Sequence, residues 1–185
     1  MIDDVLRDAK QHMESTISVV THEFNTLRTG HASISILDDV VVDYYGAPTP
    51  LNQLASLSAP DASLLVVQPY DKSAIDAIEK GILQAELGLN PSNDGALIRI
   101  PIPELTEERR VELTKVVGRH AEQGKTAIRN VRRDANDKIK KLQADKEISE
   151  DDEHHGHKQV QELTDEYVNR IDELAERKNK EILEF

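Results

Sequence analysis

The chain has 185 residues, with 23 Lys and Arg against 35 Asp and Glu, and a formal net charge of −12. It contains no cysteine, which excludes disulfides, thiolate nucleophiles and cysteine-based zinc sites. Its opening residues, Met1-Ile2-Asp3-Asp4, lack the basic and apolar regions of a signal peptide, no run reaches the roughly 18 apolar residues of a membrane span, and −12 at face value argues against a polyanionic partner.

Residues 2–28 hold no Gly or Pro and carry apolar residues at 2, 6, 9, 13, 17, 20, 24 and 27. Steps of three and four predict one long amphipathic helix, roughly 40 Å in length, with Gly30 as its stop. Residues 30–105 contain all seven prolines and five of the eight glycines. Within them, 40–45, 64–67 and 97–100 read as strands. A helix is predicted over about 72–87, capped by Asp71, ended by Gly88 and packed through Ile75, Ile78, Ile82, Leu83 and Leu87. Asn93-Asp94-Gly95 reads as a turn.

From Thr106 the helical pattern returns. Glu107 and Glu108 suit a helix start, and the stripe 113, 117, 120/121, 124, 128, 131, 135, 142 runs to about Glu147. Gly124 lies on that stripe and would admit a close helix approach. Ser149 followed by Glu150, Asp151 and Asp152 reads as a second start, and Val160, Leu163, Tyr167, Ile171, Leu174 and Ile182 form the last stripe. Three striped helices must cover one another. The expected fold is therefore α+β: an antiparallel three-helix bundle of residues 1–29 and 106–185, with a small β/α/β domain, 30–105, inserted between helices one and two. The two connections would lie side by side, as a hinge would, at Thr29, Gly30 and His31 and at Pro103, Glu104 and Leu105.

The charge is unevenly distributed. Residues 1–108 carry 6 basic and 17 acidic side chains, residues 109–141 carry 11 and 4, and residues 147–185 carry 5 and 13. At about 100° per residue, Lys115, Lys125, Arg129, Arg132, Arg133 and Lys140 share one arc of the middle helix with a single acid, Glu122. A basic strip on a long rod suits a phosphate backbone, and the grouped arginines suit bidentate phosphate contact. The alternative is a solvated face whose cations pair with acids on the neighbouring helices. Six aromatic residues in the whole chain argue against base-stacking modules. No phosphate loop, nucleophile elbow or zinc-protease motif occurs, so no enzyme, cofactor or catalytic residue is expected. His154, His155 and His157 could bind a divalent ion by accident, but no second ligand cluster accompanies them; Gly156 is expected to loosen that turn.

The segments LRTG (27–30), DYYGAPTPLNQLAS (43–56), LGLNPSNDGALIRIPIPELTEERR (87–110), RNVRRDANDKIK (129–140) and DKEISEDD (145–152) together resemble the bacterial ribosome recycling factors, over essentially the whole chain. The resemblance implies an L-shaped molecule of tRNA-like outline, with the insert on a flexible hinge. It also implies a cytoplasmic, monomeric translation factor without a membrane partner. Such a factor binds large-subunit rRNA of the post-termination ribosome and, with elongation factor G and GTP, splits it into subunits. Arg129 and Arg132 match the family's RNA-contacting motif, with Arg133 beside them and Arg110 in the matching LTEERR segment; Lys125 and Lys140 join them on the basic arc. His31 stands where the family commonly has Arg, so a contact there would be weaker or pH-dependent. The competing reading is a helical scaffold or holdase chaperone whose basic face is only solvated.

Overall fold

The structure is a computed structural model that describes residues 1–184. The chain forms two compact units, one of Met1–Phe24 and the chain from Val111 onward, the other of Asn25–Arg110. These divisions fall about five residues inside the boundaries read from the glycine and proline signals.

The first unit is a bundle of α1 (Ile2–Thr26) with two later helices of 38 and 34 residues, Glu107–Ala144 and Glu150–Leu183. Its core takes Ala9, Met13, Ile17, Val20 and Phe24 from α1, and Leu113, Val117, Ala121, Gly124, Ile128, Ala135 and Ile139 from the middle helix. Those spacings of three and four are what a single buried stripe requires. The last helix begins on a complete capping box: Ser149 Oγ accepts from the Asp152 amide, and the Asp152 carboxylate accepts from the Ser149 amide. Two glycines sit where three helices meet. A Cβ on Gly124 would lie 2.6 Å from Val20 Cγ2 and 3.2 Å from Ile171 Cδ1, and one on Gly156 would lie 3.1 Å from Ile139 Cδ1. Gly156 therefore does not loosen the helix; it is buried in the second turn of the last helix as a contact layer.

A polar cluster lies at the edge of this core, where the buried Tyr167 meets the part-exposed Glu14 and Arg170. The Tyr167 hydroxyl donates to Glu14, Arg170 Nη1 donates to the same carboxylate at 2.7 Å, and the Arg170 guanidinium lies 4.9 Å above the Tyr167 ring. Burial, then the Glu14 carboxylate, pushes the Tyr167 hydroxyl up to about 12. Arg170, then Tyr167, holds Glu14 below the usual carboxylate range.

The second unit is the insert. Strands β1 (Val41–Tyr44) and β2 (Ala47–Pro50) form a hairpin, followed by the one-turn helix α2 (Leu51–Leu54). Strands β3 (Ala55–Asp61), β4 (Leu64–Pro69), β5 (Ser92–Asn93) and β6 (Ile98–Pro101) form an antiparallel sheet of order β3-β4-β6-β5. Alternation buries Leu65 and Val67 of β4 and Ile98 and Ile100 of β6. Helix α3 (Ile75–Gln84) packs on this core through Ile75, Ile78 and Ile82, preceded by a 3-10 turn at Lys72–Ala74 that Asp71 caps through the Ser73 amide. The predicted helix is thus shorter at both ends, because Glu86 takes a left-handed backbone, φ 52°. Leu83, expected on the packed face, is 55% exposed; it lies roughly 125° from the centre of the buried set Ile75, Ile78, Gly81 and Ile82.

Candidate nucleic-acid interface

The middle helix, α4 (Glu107–Ala144), carries the cations singled out by sequence, and α5 (Glu150–Leu183) is its neighbour on one side. The buried residues of α4 centre near about 45° from Leu113 rather than the roughly 20° that the sequence stripe suggests, because Ile139 and Ala121 lie on the same flank. This rotation sorts the cations into two groups.

Lys125 and Arg132 fall on the seam with α5. The Lys125 side chain is only 16% exposed, and its ammonium is ion-paired with Asp172 of α5 and lies 3.2 Å from Glu122. Asp172 foremost, then Glu122, holds its pKa above the ordinary lysine value. Arg132 Nη1 reaches Gln161 Oε1 at 3.4 Å, and Gln161 donates in turn to Asp165 at 2.8 Å. Lys115, Arg129, Arg133 and Lys140 are exposed. Arg119, outside the arc of six read from the sequence, is exposed too, at about 240° on the same outward side. On the opposite flank, Lys138 bonds Asp8 of α1 at 2.8 Å, and His120 Nδ1 lies 2.9 Å from Glu23. Pairing with neighbouring helices accounts for Lys125 and Lys138, and Lys115, Arg119, Arg129, Arg133 and Lys140 remain as a solvent-facing strip. Arg110, half-buried, belongs to the second unit.

At the connections, a Cβ on Gly30 would lie 3.3 Å from Leu105 Cγ, so the two segments adjoin. Ala32 and Ile102 donate to the carbonyls of Ala62 and Ser63, which ties both segments to the insert, and the terminal nitrogens of Arg28 lie beside Gly88. His157 has Nδ1 2.8 Å from Asn136 Oδ1 and Nε2 3.3 Å from Glu153. Among the described residues, no group of three or more His, Asp or Glu side chains is placed to hold a metal ion, and no helix is long and apolar enough to cross a membrane.

Comparison with known proteins gives one answer along the full chain. It is similar to the ribosome-recycling factor of Carboxydothermus hydrogenoformans (53% identity over 183 residues, 99% of each chain) and to that of Bacillus thuringiensis strain Al Hakam (54% over 184 residues, 100% of each). Among solved structures, it resembles a solution structure of the ribosome recycling factor with a TM-score of 0.82 at 38% identity, covering 100% of this chain and 98% of that one. It also resembles a chain from a description of the T. thermophilus ribosome recycling factor and E. coli elongation factor G bound to the E. coli post-termination complex (TM-score 0.70, 45% identity, 99% of each chain). Residues 20–183 match the sequence profile of the ribosome recycling factor family, and the chain, a helical bundle with a small antiparallel-sheet insert, belongs to that family.

Proposed function

We propose that this chain is a translation factor that binds the post-termination ribosome and, with elongation factor G and GTP, separates it into subunits. The observation that carries the reading is the match at 99% of each chain to a ribosome recycling factor described with elongation factor G on a post-termination complex. GTP hydrolysis belongs to the translocase, so the chain itself needs no catalytic group. It acts in the cytoplasm, as a monomer.

In this reading the outward strip of α4 meets large-subunit rRNA. Arg129, Arg133 and Lys140 supply exposed cations and Arg132 flanks them, while Lys125, paired with Asp172 and Glu122, braces α4 against α5. Exposed guanidinium groups on a rigid helix contact phosphates without reading bases. The insert then receives the translocase's push through the connections at Thr29, Gly30 and His31 and at Pro103, Glu104 and Leu105. Scaffolding or chaperoning is not favoured by a full-length match to recycling factors.

Two variants, assayed side by side for co-sedimentation with 50S subunits and for subunit splitting, test both halves. The double variant Arg129→Ala, Arg133→Ala should bind 50S about tenfold more weakly, a change of about 1.4 kcal/mol, with a shallower salt dependence as phosphate contacts are lost. Two glycines inserted between Glu104 and Leu105 should leave binding near wild type and abolish splitting. Wild-type affinity in the arginine variant removes the anchor; equal loss of binding and splitting in the insertion variant removes the hinge.

A further inference from the structure

Helices α4 and α5 are antiparallel neighbours: Asn136 meets His157, Arg132 meets Gln161 and Lys125 meets Asp172. Lys125 and Arg132 are seven residues apart on α4, and Asp165 and Asp172 are seven apart on α5. Seven residues make close to two turns, so each pair shares one face of its helix. The register that sets Asp172 against Lys125 therefore sets Asp165 against Arg132, two turns further along the same seam.

The two steps of the seam end differently. Asp172 closes directly on the Lys125 ammonium, with Glu122 also 3.2 Å away. At Arg132 an amide intervenes. Arg132 Nη1 donates to Gln161 Oε1 at 3.4 Å, and Gln161 Nε2 donates to Asp165 Oδ1, one turn along α5, at 2.8 Å. The orientation of this amide is forced from both sides, because a carboxylate can only accept and a guanidinium can only donate. Its oxygen must face Arg132 and its nitrogen must face Asp165. Lys125 is thus neutralised by carboxylates, whereas Arg132 is held by an uncharged oxygen and keeps its charge.

We propose that Gln161 is a positioning residue for phosphate contact by Arg132: it steadies the guanidinium through one N–H and keeps it from closing on Asp165. The assignment rests on the recycling reading and deepens it at one residue beside the outward strip of α4. An arginine closed on a carboxylate must break that ion pair before it can meet a phosphate. Held through a single N–H, the guanidinium keeps its other donors for the planar, two-point contact that suits phosphate. It also has less side-chain freedom to lose on binding.

A double-mutant cycle at positions 161 and 165, read by co-sedimentation with 50S subunits, tests this. Both side chains are exposed, so neither substitution disturbs the core. Gln161→Ala should weaken binding about fivefold, the upper end for an exposed ion pair that must now be broken. Asp165→Asn should then gain at least about threefold more affinity in the Gln161→Ala background than in the wild-type background. Nitrogen NMR of the arginine side chains reads the same event without the ribosome: the Arg132 guanidinium should rotate more slowly in free Gln161→Ala than in the wild-type chain, and be released again in the double variant. Wild-type affinity in Gln161→Ala, unchanged Arg132 signals in it, or an equal gain from Asp165→Asn in both backgrounds, as general loss of negative charge would give, would each overturn the assignment. Failure of the wild-type chain to bind 50S subunits, with the NMR behaviour as expected, would instead remove the recycling reading and leave the separation of Arg132 from Asp165 standing.

Discussion

In the bundle, cohesion comes from stripes repeated every three or four residues along helices of 25, 38 and 34 residues. In the insert it comes from strands of two to seven residues and a short helix, joined by turns that need positive φ at Tyr45 and Gly46 after β1 and at Glu86 and Gly88 after α3. The two units therefore respond differently to the same chemical change. Adding a methyl group to a bundle glycine tests space; adding it to an insert glycine tests φ.

The largest effect is expected where space is absent. Gly124→Ala would place a methyl 2.6 Å from Val20 Cγ2. Valine is stiff about χ1 and this one is 2% exposed, so it cannot yield cheaply. Overpacking of this kind costs about 1–3 kcal/mol, and the better helix propensity of alanine returns about 1 kcal/mol. Gly118, on the same helix, has nothing within 4 Å of such a methyl, so Gly118→Ala should stabilise by up to about 1 kcal/mol. Urea unfolding of the two variants measures the pair; the same sign for both would show that the layer at Gly124 is not tightly packed.

Gly88→Ala probes the insert by the other route. Gly88 has φ 63°, and a methyl there would lie 3.0 Å from Arg28 Nη1, the end of a flexible side chain. Strain in the left-handed region, about 1–2 kcal/mol, should dominate over the contact. Removing the arginine as well, in Gly88→Ala with Arg28→Ala, should then recover little. Tyrosine fluorescence under urea reports on the insert, which holds three of the four tyrosines. Full recovery in the double variant would mean that Arg28, not the backbone, makes glycine necessary.

The same contrast explains what was legible in the sequence. The long helices announce themselves because a stripe repeated over seven or more turns outweighs any single exception; even Lys178 sits on it, buried with its ammonium 3.3 Å from Glu181. Strands β1, β4 and β6 carry runs of Val, Ile and Leu and were found. Strands β2 and β3, rich in Ala, Ser and Pro, are strands only because they pair with β1 and β4, which is not a local property. At the candidate interface, the cations of α4 could be counted but not sorted. Which of them face α5 depends on Asp172, 47 residues from Lys125, and Gln161, 29 residues from Arg132, and on a core direction shifted by about 25°. Likewise, Tyr167 reads as one more apolar stripe position until Glu14 is found beneath its hydroxyl.

That hydroxyl cluster gives the smallest and most specific expectation. Glu14 is held below the ordinary glutamate value of 4.5 by Arg170 and Tyr167, so the folded bundle binds this proton less readily than the unfolded chain does. Its contribution to stability is complete above about pH 4.5 and disappears as the pH falls through the lower, folded value. Glu14→Gln keeps the shape but has no proton to gain. The stability difference between the wild-type chain and this variant should therefore be constant from pH 7 to 5 and shrink below pH 4.5. The insert offers a built-in control, since Asp94, held far below the usual range by the Leu97 and Ala96 amides and then by Arg99, titrates unchanged in both proteins. A difference that persists undiminished to pH 3 would show that the cluster acts through packing of the Tyr167 ring, and not through the charge on Glu14.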